Sequence, residues 1–267
     1  MTSSSAAPNV GALLTGAGLS AQAAQVLTIP DLGARIQAGM GIKVDNVPAS
    51  EVTLVTMLVD DSGSISAAGN TRVVRDGHNM VLDALGKAKR RDGILAHTLY
   101  LNGTVLFPYA PLDQAVRMDD SNYDPNLGTP LYDQAVVLLG TVLAKAQQFE
   151  DAGVPVRTVT LIVTDGQDEH SSAAHGGRGT TAADVAKVAR DMLRKETHII
   201  AAMGIDNGAT DFRRVFAEMG IQDKWILTPG NTQQEIRRAF LLFSQSAVRA
   251  SQGAAPFSQS AMGGFGK

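Results

Sequence analysis

Apolar and polar positions alternate with two different periods along this chain. From residue 51 onward the two periods take turns. Val52–Val59 is a continuous apolar run closed by acidic residues, the pattern of a strand buried on both faces. Val73, Val74, Met80, Val81 and Leu85 then recur at helical spacing. Ile94–Leu101 and Thr104–Phe107 are apolar runs flanking Asn102-Gly103, which predicts an antiparallel hairpin with a two-residue turn. Leu131–Phe149 carries one apolar stripe through Ala135, Leu138, Leu139, Val142, Leu143 and Ala146, which predicts a long helix. Val156–Val163 predicts a second buried strand, Thr181–Leu193 a helix, His198–Met203 a strand and Asp211–Met219 a short helix. Lys224–Leu227 predicts the last strand. The closing helix starts at Thr232-Gln233-Gln234-Glu235, a capping-box pattern, with Ile236, Ala239, Phe240, Phe243 and Ala247 inward.

Strands alternating with helices predict an α/β fold. The sheet is expected to be doubly wound and mostly parallel, six-stranded with one antiparallel edge strand, and covered by helices on both faces. The ends differ from this middle. Residues 1–20 and 251–267 are rich in Ser, Ala, Gly and Gln and are expected to bury little and to be mobile. Residues 21–49 form an extension in which Leu27, Ile29, Leu32, Ile36 and Met40 can pack, while Pro30, Gly33, Gly39 and Gly41 argue against one long helix. The division is therefore 1–20 disordered, 21–49 extension, 50–248 folded domain and 249–267 flexible tail.

Composition narrows the chemistry. The chain has 267 residues, 44% of them hydrophobic, enough for a sizeable core. It has no cysteine, which removes disulfides, thiolate zinc sites and a cysteine nucleophile together. A net charge of −3 gives no general attraction to nucleic acid or anionic membrane. No Lys or Arg precedes Arg35, so a secretory n-region is missing. Val10–Leu27 is interrupted by Thr15, Ser20, Gln22 and Gln25, unlike a membrane span of roughly 20 apolar residues. A cytoplasmic location without a membrane span is the expectation.

Three polar stretches stand at strand or helix junctions: Asp60-Asp61-Ser62-Gly63-Ser64, Asn126-Leu127-Gly128-Thr129-Pro130 and Thr164-Asp165-Gly166. In a doubly wound sheet, ligands bind beyond the carboxyl ends of strands where strand order reverses. With the hairpin built outward from one side of the first strand, Asp60 and Asp165 are expected to face each other across that crevice. Two carboxylates and three hydroxyls offer only oxygen, which suits Mg²⁺, Mn²⁺ or Ca²⁺ and disfavours zinc or copper. Neutral hydroxyl ligands leave such an ion much of its charge, so an outside acid can complete the shell.

Asp60-x-Ser62-x-Ser64 after an apolar strand, followed by Thr129 and Asp165, resembles the metal-ion-dependent adhesion site of von Willebrand factor A domains. The resemblance covers roughly residues 50–248 and fills all five positions. It implies that Ser62, Ser64 and Thr129 bind Mg²⁺ through hydroxyls, and that Asp60 and Asp165 hold it directly or through water. It implies a protein-binding scaffold rather than an enzyme, with an Asp or Glu of a protein partner reaching the ion. The closing segment Phe240–Val248 is similar to that of small bacterial stand-alone members encoded with tellurite-resistance and other stress genes. These are thought to work beside ATPases, kinases or phosphatases. Ile65-Ser66 and the longer amino-terminal extension depart from their commonest form.

Other polar groups along the chain have plainer roles. Asp61 is expected to point away from the site as a solvated acid. Asp168, Glu169, His170 and His175 crowd the loop after Asp165; they can form a second metal site or meet a basic residue of a partner, for which the first three are the candidates, and a polar surface loop is the plainer reading. His175-Gly176-Gly177-Arg178-Gly179 lacks the features of a phosphate-binding loop. Lys87, Lys89, Arg90 and Arg91 suit a helix carboxyl end. A Mg²⁺-dependent phosphoryl-transfer enzyme is the rival class, but its second aspartate falls on Ser62 here. Neither Ser62 nor Ser64 has a glycine two residues before and two after it, as the G-x-S-x-G of a serine hydrolase requires. A third reading gives the metal a purely structural role.

Overall fold

The structure is a computed structural model and describes residues 9–27, 31–169, 171, 179–252 and 263–265. The chain begins with three short helices, α1 (Val10–Gly16), α2 (Ala21–Val26) and α3 (Leu32–Gly39). Strand β1 (Val52–Val59) leads through α4 (Gly63–Ala67) into α5 (Thr71–Gly86). The hairpin β2 (Ile94–Tyr100) and β3 (Val105–Pro111) precedes α6 (Leu131–Asp151). Then come β4 (Val156–Thr164), α7 (Ala182–Arg194), β5 (His198–Gly204), α8 (Phe212–Glu218), β6 (Ile226–Leu227) and α9 (Gln233–Gln252).

The six strands lie in the order β3-β2-β1-β4-β5-β6. All neighbours are parallel except β2 and β3. This is the doubly wound α/β fold expected from the sequence, with the antiparallel strand at one edge. Every residue of β1, β2 and β5 is buried, as continuous apolar runs require when both faces of a sheet are covered. Helix α5 packs on α9, while α1, α3 and α7 pack on α6. The α5–α9 contact is close because Gly77 has no side chain: a Cβ there would lie 2.2 Å from Cδ2 of Phe240.

Three expectations need correction. The Asn102-Gly103 turn holds three residues rather than two. The Gly103 amide donates to the Tyr100 carbonyl at 2.9 Å and the Tyr100 amide to the Thr104 carbonyl at 2.9 Å. Only Gly103 takes positive φ (91°), the geometry of a turn closed by a glycine bulge. Second, the amino-terminal segment buries more than its composition suggested. Val10, Leu14 and Ala17 join the main core, Asn9 caps α1 and Ser20 caps α2. Third, the distal tail is partly docked, since Phe265 packs against the core.

The extension is tied down by polar contacts as well. Lys145, fully buried on α6, donates through Nζ to the carbonyl of Ile42 and to Oε1 of Gln148. Gly41, at φ 56°, lies so close to Tyr109 that a Cβ would fall 2.0 Å from its carbonyl oxygen. The Thr232–Glu235 cap of α9 is formed, with the Glu235 amide donating to Thr232 Oγ1 at 3.3 Å.

Candidate metal centre

Strand order reverses between β1 and β4, and the two strands end side by side, Val59 opposite Val163. The Asp60 amide donates to the Val163 carbonyl at 3.0 Å, so the pairing continues one residue beyond β1. This register sets Asp60 and Asp165 next to each other. The Asp165 amide donates to Oδ2 of Asp60 at 3.3 Å.

The 126–129 loop is stitched to the same corner by backbone. The Leu127 amide donates to the Asp61 carbonyl at 3.2 Å and the Gly63 amide to the Leu127 carbonyl at 3.0 Å. The Glu169 amide donates to the Thr129 carbonyl at 3.2 Å, joining this loop to the one after β4. Thr129 Oγ1 lies 3.9 Å from where a Cβ on Gly166 would sit, which sets the hydroxyl beside the loop that follows β4. Three loops far apart in sequence therefore meet at one place.

Their side chains converge too. Ser62 Oγ is 2.9 Å from Ser64 Oγ, and Ser64 Oγ donates to Oδ1 of Asp165 at 2.5 Å. Ser62 is the N-cap of α4 yet makes no side-chain capping bond, although serine at that position ordinarily bonds an amide of the first turn. Its hydroxyl is turned to Ser64 instead. Asp60 is fully buried and tightly oriented. Its Oδ1 accepts from the Ser62 amide at 2.7 Å and its Oδ2 from Thr164 Oγ1 at 2.6 Å.

The electrostatics of this corner are unbalanced. Asp60, Asp61 and Asp165 are all buried, and among the described residues no ion pair reaches any of them. Burial pushes the Asp165 carboxyl up to about 6, and the Asp60 charge adds to this while the Ser64 hydroxyl opposes it. Burial likewise raises Asp61 to about 6, partly offset by the Asn102 amide. Buried carboxylates without a cationic partner are costly, and a bound cation would relieve that cost. Among the described residues no group of three or more His, Cys, Asp or Glu side chains forms a metal site. The set here contains two carboxylates, Asp60 and Asp165, and depends on hydroxyls for the rest. An all-oxygen set with these charges fits a hard divalent cation.

Asp61 does not behave as a solvated acid. It is buried and its Oδ1 accepts from the Asn102 amide at 3.0 Å, which ties the β1 loop to the hairpin turn. Asp168 is half-buried at the start of α6, where Oδ1 accepts from the Tyr132 amide at 3.1 Å and from Ser171. Glu169 is exposed. His170 and His175 lie outside the described residues.

Several supporting residues were not singled out from the sequence. Thr164 orients Asp60 as described, and Tyr123 donates its hydroxyl to the Asp60 carbonyl at 2.6 Å. Burial, followed by the charges of Asp60 and Asp61, holds the Tyr123 phenol well above its usual range, so it remains a donor. Asn207 Nδ2 donates to the Asp165 carbonyl at 2.7 Å. Thr164 stands in a motif already noted; Tyr123 and Asn207 carry no signal of spacing.

No protein-family model matches the chain, and no curated protein matches it in sequence. Solved structures do match at the level of fold. The pilus adhesin SpaC from Lactobacillus rhamnosus GG, in an open conformation, aligns over 74% of this chain and 30% of its own at 12% identity, TM-score 0.50. A second structure of that adhesin gives 10% identity and TM-score 0.52, covering 74% of this chain and 31% of the adhesin. A von Willebrand factor type A protein from Catenulispora acidiphila aligns over 74% of this chain and 43% of its own at 14% identity, TM-score 0.47. The chain thus spans less than half the length of each of these proteins.

Proposed function

We propose that this chain is a divalent-cation-dependent protein-binding module. Asp60, Ser62, Ser64, Thr129 and Asp165 would hold one hard cation, Mg²⁺ in the first instance and Mn²⁺ or Ca²⁺ as alternatives. A carboxylate from a protein partner would complete the shell. The observation that carries this reading is the contact chain Ser62–Ser64–Asp165 beside buried Asp60, with no cationic side chain paired to either acid among the described residues. When bound, the ion supplies the positive charge that an acidic partner residue meets.

The chain's own residues hold that charge in place. Thr164 and the Ser62 amide fix both oxygens of Asp60. Ser64 bridges to Asp165, and Asn207 anchors the Asp165 backbone. Asp168, Glu169 and His170, which follow Asp165 in sequence, would meet the partner beside the ion. Residues 50–248 carry the module, and an ATPase, kinase or phosphatase is the kind of partner the family resemblance suggests.

The arrangement favours binding over turnover. Among the described histidines, His78 on α5 reaches Thr98 of β2, while His97 and His198 in the sheet bond to the Phe107 carbonyl and to Thr158. None of them serves Ser62 or Ser64 as a base.

Affinity capture in Mg²⁺ and then in EDTA tests the proposal. The full chain is expected to retain a partner in Mg²⁺ and release it in EDTA, while Asp60→Ala and Thr129→Ala proteins retain none. Capture of the same partner by both variants would overturn the metal bridge. Loss of thermal stability in EDTA with partner binding intact would assign the metal a structural role instead.

A further inference from the structure

Beyond the site, the turn that leads into the short edge strand β6 has an occupant from the same chain. Residues Asp223–Trp225 form this 3-10 turn, and Trp225 is buried to 1% exposure. The segment Gly263–Phe265 lies against this turn. The Phe265 amide donates to the Lys224 carbonyl at 3.1 Å, and the Phe265 ring meets the Trp225 indole edge-to-face at 5.2 Å between centroids, 83° between planes.

The glycines are required by this fit. Gly263 and Gly264 take φ of 70° and 88°, the left-handed region that side chains avoid. A Cβ on Gly264 would lie 2.6 Å from the Lys224 carbonyl oxygen and 2.8 Å from Lys224 Cβ. Backbone must come this close for the Phe265 amide to reach Lys224. A main-chain bond, an aromatic contact and two glycines of special geometry therefore act together in one short segment. A main-chain bond that fixes position, beside an aromatic contact that selects the side chain, is the combination by which folded domains recognise short peptides.

We infer that the Lys224–Trp225 turn is a peptide-docking site selective for a Gly-Gly-aromatic segment, and that Gly263–Phe265 of the same chain fills it. Residues 253–262 join that segment to α9.

The sequence contains a single tryptophan, so its fluorescence reports this site alone. The test compares the full chain with a variant lacking residues 263–267 and then adds a synthetic peptide of residues 258–267. Deletion is expected to red-shift Trp225 emission, and the peptide to reverse the shift saturably with one site per chain. Peptides carrying Gly264→Ala or Phe265→Ala are expected to bind about tenfold more weakly or worse. Unchanged emission on deletion, or equal binding by the Gly264→Ala peptide, would overturn the inference. The full-length Gly264→Ala protein supplies a second reading if the deleted chain does not fold, and is expected to show the same red shift. Emission of the full chain should not change on dilution; a shift on dilution would mean that a second copy supplies the segment, which would contradict docking within one chain.

Discussion

Thr164 donates its hydroxyl to Oδ2 of Asp60 at 2.6 Å, with both residues fully buried at the ends of neighbouring parallel strands. Thr164 is not among the five proposed ligands, yet it fixes the carboxylate nearest the strand crossover. Partners of this kind orient ligands, and losing one typically costs 10–100-fold in metal affinity. Thr164→Val keeps shape and removes the donor. It is expected to lower Mg²⁺ affinity by about tenfold or more while leaving the circular dichroism spectrum unchanged. Unaltered affinity would show that Thr164 only packs.

The crowding of Asp60 and Asp165 has opposite consequences with and without metal. Burial and the Asp60 charge both raise the Asp165 carboxyl, so the two acids destabilise the metal-free fold together. Asp165→Asn is expected to raise the melting temperature in EDTA. It is also expected to abolish the rise in melting temperature that Mg²⁺ gives the unaltered chain, since only the native state offers the site. Differential scanning fluorimetry in both conditions checks the pair of signs. A variant that melts lower in EDTA would contradict the repulsion.

Three buried histidines set an acid limit on stability. Burial holds His78 and His97 down to about 4 and His198 to about 3. In the unfolded chain a histidine takes up its proton below about 6.5. The unfolded state therefore binds more protons between that value and the folded one, and stability falls as pH drops through this window. Each histidine contributes a slope of at most about 1.4 kcal/mol per pH unit. Urea midpoints measured from pH 7 to pH 5 should decline, and His97→Asn should decline less steeply. Equal slopes would mean that His97 does not titrate differently on folding.

Gly77 marks where α5 and α9 touch. An added Cβ meets three atoms of the Phe240 ring at 2.2–2.5 Å, and that ring is itself fully buried. Overpacking of this kind typically costs 1–3 kcal/mol. Gly77→Ala is expected to lose about 2 kcal/mol in urea denaturation, although alanine is the better helix former by about 1 kcal/mol. A stabilised variant would show that the interface gives way freely.

Much of this arrangement was legible because it depends on periodicity. β1 and β4 read as unbroken apolar runs, and α6 and α9 as stripes, so the order of elements followed from the sequence. The alternation also identified the junctions that bring Asp60, Ser62, Ser64 and Asp165 together. What escaped was settled by tertiary contact. Asp61 reads as a surface acid until the Asn102 amide, brought over by the hairpin, is seen to cover it. Tyr123 and Asn207 act through backbone carbonyls, which leave no trace in side-chain spacing. The turn at Asn102 holds three residues because only Gly103 takes positive φ, where the two-residue Asn-Gly turn needs it at both positions. Helix α1 has no charged residue to mark its ends, and it is held by Val10 and Leu14 packing on the core.

Calorimetric titration of the EDTA-stripped chain with Mg²⁺, repeated with Mn²⁺, tests the central claim most directly. The proposed site predicts one ion bound per chain, a large loss of affinity in Thr129→Ala, and no binding in Asp165→Asn. Absence of binding by the unaltered chain, or the same isotherm from all three proteins, would contradict it.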